Sequence, residues 1–99
     1  MKVSVVVCTY SMDRYDSFSE TVESVLAQTY DPLELVGVVD GNDEVFERVR
    51  EDFADADERG VEDVVLHCNE VNKGISYSRT KGAKLASGDV VAMIDDDAT

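Results

Sequence analysis

Three consecutive carboxylates, Asp95, Asp96 and Asp97, close a short apolar run, Val90 to Ile94, near the end of a 99-residue chain. Aspartate oxygens are hard ligands that suit Mg2+ or Mn2+. Carboxylates at the carboxyl end of a strand in an α/β sheet also lie where such sheets bind ligands. Composition alone does not single them out, because Asp and Glu make up 22 of the 99 residues. Their placement does: a solvated acidic patch has no reason to follow directly on an apolar run that reads as a buried strand.

A second group has the opposite sign. Residues 71–88 hold Lys73, Arg79, Lys81 and Lys84 and no acid, within a chain of net charge −13. Carboxylates that hold a divalent cation, set beside cationic side chains, suit a nucleoside diphosphate. The metal bridges phosphate oxygens and the cationic groups meet the remaining charge. The basic stretch is therefore expected to approach the acidic triplet.

The elements that must position these groups follow from the apolar pattern. Lys2 to Cys8 is nearly all valine, too continuous for a half-exposed strand, and reads as a central parallel strand ended by Thr9, Tyr10 and Ser11. Ser17-Phe18-Ser19-Glu20 fits a capping box, and Phe18, Val22, Val25, Leu26 and Thr29 follow at helical spacing, which predicts a helix over 17–28. Asp31 and Pro32 break the chain before a second strand, Leu33 to Val39, which ends in Asp40, Gly41 and Asn42. From Asp43 a second helix puts Val45, Phe46, Val49 and Phe53 on one face; the acidic run Ala54 to Glu58 and Gly60 end it. Val61 to Cys68 supplies a third strand. Gly74 to Leu85 forms a third helix, in which Ser78, Gly82 and Ala86 at four-residue spacing allow close approach to a sheet, and Gly88 stops it.

The order βαβαβαβ predicts an α/β fold with a parallel, Rossmann-like sheet and right-handed crossovers. Ligands should gather at the strand carboxyl ends, at Thr9 and Tyr10, Asp40, Cys68 and Asp95 to Asp97. The acidic balance argues against a nucleic-acid surface and suits a high-salt solvent that screens self-repulsion. No apolar run approaches the roughly 20 residues needed to span a bilayer, and no signal-peptide succession opens the chain. A cytoplasmic location is expected, at the cytoplasmic face of the membrane if a longer protein carries an anchor. Cys8 and Cys68 lack a CxxC or histidine-spaced partner, so buried free thiols are expected. His67, the single histidine, receives no role.

Five motifs in order carry a resemblance. They are Val5-Val6-Val7-Cys8-Thr9-Tyr10, then Ser24-Val25-Leu26-Ala27-Gln28-Thr29-Tyr30, then Val38-Val39-Asp40-Gly41-Asn42, then Asn72-Lys73-Gly74-Ile75-Ser76 with Arg79, and Gly88-Asp89 with Val90 to Asp97. Together they resemble the N-terminal half of a glycosyltransferase of family 2, with the glycosyltransferase A-type, nucleotide-diphospho-sugar transferase fold, over essentially the whole chain. The resemblance implies that residues 1–99 are a single nucleotide-sugar-binding domain. It implies that Thr9 and Tyr10 line the nucleoside pocket, that Asp40 contacts base or ribose and that Arg79 lies near base or diphosphate. Asp95 would approach the ribose with Asp96 as a lesser contributor, and Asp97 with Asp95 would ligate Mn2+ or Mg2+.

The activity implied is transfer of a sugar from a nucleotide-diphospho-sugar to a hydroxyl of a sugar, lipid-linked or protein-glycan acceptor, with inversion. The family's acceptor site and catalytic base lie in a second half. No catalytic residue is therefore assigned among these 99, which are expected to be inactive alone and to self-associate through the apolar surface that half would cover. Cys8 and Ser11 depart from the Pro and Asn frequent in the family, as does Thr80 from Asn. Among alternatives, a sugar nucleotidyltransferase would need a glycine-rich basic loop where Thr9 to Tyr15 has no glycine and only Arg14. A receiver or phosphatase-like domain would place its nucleophilic Asp where Thr9 and Tyr10 stand. A non-catalytic nucleotide-binding or interaction domain would keep the fold without the chemistry. The plain structural readings are that Asp40 caps a turn or helix and that Arg79 pairs with a neighbouring carboxylate.

Overall fold

The computed structural model describes residues 2–27, 33–53, 55 and 63–95, the side chains of Ile75 and Asp95 excepted. Strands β1 (Val3–Thr9), β2 (Leu33–Asp40), β3 (Asp63–Asn69) and β4 (Val90–Asp95) form one sheet in the order β3-β2-β1-β4. All three pairings are parallel. The crossovers are α1 (Tyr15–Ala27), α2 (Asp43–Phe53) and α3 (Ile75–Leu85). Alternation along the valine-rich strands divides the core between two faces. Val5, Val7, Leu35 and Val39 pack with Phe18, Val22, Val45 and Phe53 of α1 and α2. Val6, Cys8, Val36 and Val38 pack with Leu85 and Ala86 at the end of α3. The βαβαβαβ order and the parallel sheet are thus as the sequence implies.

The small residues of α3 act as their spacing suggests. Ser78 is fully buried, and a Cβ built on Gly82 would stand 2.3 Å from Val6 Cγ1, so only glycine lets the helix lie this close to β1.

Two expectations are corrected. The first helix begins at Tyr15, not at a Ser17 capping box, because a 3-10 turn over Met12–Arg14 runs directly into it. Tyr15 is buried there, and its hydroxyl donates to the Asp52 carboxylate of α2, a tertiary bond that fixes the helix start from 37 residues away. The second correction concerns β4. Among the described residues it pairs with β1 alone, and α3 lies over β1 and β2 rather than over it. Val90 (44 % exposed), Val91 and Met93 (43 %) are open to solvent, so the run that reads as a buried strand is an edge strand here. Strand ends shift slightly as well, with β1 reaching Thr9, β2 reaching Asp40 and β3 reaching Asn69. The expectations for Gln28, Thr29, Asp31, Pro32, Gly60 and most of the 54–58 run lie outside the described residues. No helix among the described residues is long and apolar enough to cross a membrane.

Candidate nucleotide site

The carboxyl ends of β1 and β2 and the loop that leads into α3 enclose a cavity of about 220 Å³, lined by Cys8, Thr9, Tyr10, Asp40, Asn72, Gly74 and Ser78. Strand geometry explains the first four, since both strands end side by side in register, Thr9 opposite Val39. The turn after β2 depends on Gly41, whose φ of 70° favours glycine. A Cβ there would meet Asn72 N at 2.3 Å, so the missing side chain also admits the 70–74 loop against the strand end. Asn42 caps α2, its Oδ1 accepting from Val45 N at 3.2 Å. Its Nδ2 donates to Tyr10 O, which ties the turn to the end of β1.

Two buried polar groups at these strand ends differ. The hydroxyl of Thr9, in a residue 1 % exposed, finds no hydrogen-bond partner among the described residues, a burial that costs roughly 1–3 kcal/mol. Alternation along β1 puts this side chain with Val5 and Val7 on the α1/α2 face, opposite the face of Asp40. Asp40, 5 % exposed, is instead fully engaged. Its Oδ1 accepts from Lys73 N at 2.7 Å and Asn69 Nδ2 at 2.9 Å, and its Oδ2 accepts from Gly74 N at 2.8 Å. The Ser78 hydroxyl donates to it as well. Burial is the largest single influence on this carboxyl and pushes its pKa up, but these four hydrogen bonds together outweigh it and hold the value below the usual one.

The network extends one residue further. Asn69 Nδ2 also donates to Ser78 Oγ at 3.0 Å, so both of its hydrogens are used and its Oδ1 must face His67 Nε2, 3.1 Å away. His67 therefore carries its hydrogen on Nε2. Asn69, Asn72, Gly74 and Ser78 were not among the expected site residues. Asn72 and Gly74 lie within a quoted motif and Ser78 within the small-residue stripe, but nothing local marks Asn69, which acts only through its neighbours.

Tyr10 stands at the rim, 47 % exposed, with the Arg14 guanidinium over its ring. Arg79 is exposed on α3 and does not line the cavity. At 100° per residue it lies on the opposite flank of the helix from Tyr77, Lys81 and Lys84. Lys73, Tyr77 and Lys81 border a cleft with His67 and Cys68, on the β3 side. Lys73 and Lys81 thus face the β3 edge, whereas β4, which leads to the acidic triplet, is at the other edge of the sheet. The expected approach of the basic stretch to the triplet side chains falls outside the described residues.

Asp95 sits opposite Cys8 in the β1–β4 register, which starts the triplet beside a cavity-lining residue. Only its backbone is described, and Asp96 and Asp97 lie outside the described residues. Among the described residues no three His, Cys, Asp or Glu side chains gather as a metal set. Cys8, buried, and Cys68, half-buried, are not joined in a disulfide. Burial pushes the Cys68 thiol pKa up.

Residues 4–99 match the family model described as glycosyl transferase family 2. A glucosyl-dolichyl phosphate glucuronosyltransferase of Haloferax volcanii is 78 % identical over the whole chain, which spans 30 % of that protein's length. Among solved structures, S. aureus TarS superposes with a TM-score of 0.78 at 25 % identity, over 98 % of this chain and 17 % of its own. A mannosyltransferase from Pyrobaculum calidifontis, in complex with GDP-Man and Mn2+, superposes with a TM-score of 0.79 at 23 % identity, over 96 % of this chain and 27 % of its own.

Proposed function

The chain belongs to glycosyl transferase family 2, and from that premise we propose that it is the donor-binding part of an enzyme that transfers a sugar from a nucleotide-diphospho-sugar to an acceptor hydroxyl with inversion. The observation that carries this reading is the cavity at the carboxyl ends of β1 and β2, whose lining residue Cys8 stands opposite Asp95, the first residue of the acidic triplet. The cavity takes the nucleoside: Thr9 lines it at the end of β1, the exposed Tyr10 ring offers a stacking face, and Asn72 and Gly74 close the side. Asp95 and Asp96 face the ribose, and Arg79 lies on the α3 flank nearer β4, toward the diphosphate.

The carboxylate donor set of Asp95 and Asp97 fits Mn2+ or Mg2+, hard cations that prefer oxygen. When bound, the metal neutralises charge on the diphosphate. Asp97 and Asp95 hold it, and Thr9 and Tyr10 orient the nucleoside so that the sugar projects toward the acceptor. The acceptor site and catalytic base are assigned to residues beyond these 99. At 78 % identity to the Haloferax glucuronosyltransferase, a glucuronosyl donor and a lipid-phosphate-linked glucose acceptor are the preferred substrates. The net charge of −13 suits a concentrated-salt solvent.

The test is calorimetric titration of UDP, GDP and ADP in molar KCl, with and without Mn2+, into the wild type and Asp97→Ala. One nucleotide should bind, require the metal and be lost in the variant. Binding that ignores both metal and variant would remove the metal assignment, and no binding at all would remove the donor reading.

A further inference from the structure

A carboxylate has about four acceptor positions, and in Asp40 four protein donors occupy them: Lys73 N, Gly74 N, Asn69 Nδ2 and the Ser78 hydroxyl. A ligand N–H or O–H aimed at Asp40 would have to displace one of these, in a residue only 5 % exposed. The donors to Asp40 are also not scattered. Two are consecutive backbone amides of the loop that closes the cavity, and the other two are side chains from the end of β3 and the first turns of α3, themselves bonded to each other at 3.0 Å.

Resting on the donor-pocket reading above, we propose that Asp40 is a positioning residue rather than a nucleotide contact. Asn69 and Ser78 hold its carboxylate, and the carboxylate fixes the 70–74 loop through Lys73 N and Gly74 N. Asn69, whose side chain touches His67, Asp40 and Ser78 and does not line the cavity, thereby acts on nucleotide affinity without touching the nucleotide.

The experiment titrates UDP, GDP and ADP with Mn2+ into the full chain and into Asn69→Ala, Ser78→Ala and Asp40→Asn. The Lys73 and Gly74 amide resonances of each unliganded protein are recorded alongside. Asn69→Ala is expected to weaken every nucleotide that binds by one common factor, about tenfold for the loss of one charge-assisted hydrogen bond. It should shift both amide resonances and keep the wild-type ranking of bases, as should Asp40→Asn. If Asn69→Ala does not fold, Ser78→Ala carries the same expectation.

The proposal is overturned if Asp40→Asn alters the ranking of bases. It is equally overturned if Asn69→Ala lowers the melting temperature while affinity and both amide resonances stay at wild-type values. Failure of the wild type to bind any of the three would remove the donor reading instead. The amide resonances of Asn69→Ala and Ser78→Ala would then decide by themselves whether Asp40 anchors the loop.

Discussion

Asp40 and Glu34, at the two ends of β2 and on the same face of the sheet, hold opposite ends of α3, and only Asp40 borders the cavity. At the carboxyl end, Asp40 binds the two amides that lead into the helix, where the helix dipole also favours a negative charge. At the amino end, Glu34 Oε1 accepts from Ser4 Oγ at 2.6 Å and from Ser87 N at 2.8 Å, and Oε2 accepts from Ser87 Oγ at 2.9 Å. Lys2 Nζ stands 3.9 Å from Oε2 and bonds Asp63 and Ser87 in turn. Gly88 N completes the knot on Ser4 Oγ. Both carboxylates accept several hydrogen bonds, yet one end of the sheet is sewn shut while the other holds a loop open beside a cavity. What separates frame from site is therefore the cavity, which Asp40 borders and Glu34 does not.

Substitution at the frame end should have the largest effect on stability. Glu34→Ala leaves the Ser4, Ser87 and Lys2 donors without their acceptor and is expected to cost about 3 kcal/mol in denaturant unfolding. Nucleotide affinity per folded molecule should be unchanged; an equal loss of affinity would break the distinction between the two ends. Asp40→Asn puts a donor among donors and is expected to cost about 2 kcal/mol, together with at least tenfold in affinity for every nucleotide that binds.

The acid limb sharpens the same comparison. For Glu34, burial is the largest influence and raises the pKa, but hydrogen bonds from Ser4 and Ser87 and the attraction of Lys2 outweigh it, so the folded value lies below the usual one, as it does for Asp40. A depressed folded pKa means stability that is present above the unfolded pKa and is lost as pH falls through the folded one. Unfolding midpoints followed from neutral pH downward should therefore decline less steeply in Glu34→Gln and in Asp40→Asn than in the wild type.

Thr9→Val should have the smallest effect on stability and the opposite sign. It removes a buried hydroxyl that has no partner among the described residues, so the protein should be unchanged or more stable by about 1 kcal/mol. Loss of stability would mean that Thr9 has a partner in solution.

Much of the frame is legible in the sequence because it is written locally. The valine runs of β1 and β2, the helical spacing of Val45, Val49 and Phe53, and the Ser78-Gly82-Ala86 stripe each imply their own burial. The acidic triplet and the Thr9-Tyr10 pair are legible as strand ends. What the sequence hides is tertiary. Tyr15 begins α1 through a bond to Asp52, which no capping pattern displays. The run Val90 to Ile94 has the composition of a buried strand, but burial depends on neighbours, and β4 has one among the described residues. The role of Asp40 depends on donors 29 to 38 positions further along the chain, and Glu34, charged within an apolar strand, gains its meaning only from Ser4 and Ser87. The lysines of α3 share a helix with Arg79 but not a flank, so charge counted along the chain does not show which flank carries it.

The most direct measurement is paramagnetic broadening of amide resonances by Mn2+ in the presence and absence of the nucleotide that binds. Six residues of extended strand separate Glu34 from Asp40, about 20 Å, far enough for broadening to distinguish the two ends. With nucleotide present, the amides of Thr9, Tyr10 and Gly74 should broaden while those of Ser4, Glu34 and Ser87 stay sharp, and removing the nucleotide should weaken the effect. Broadening that spreads evenly over the acidic surface, or that is the same without nucleotide, would contradict a metal-dependent donor site at the carboxyl ends of β1 and β4.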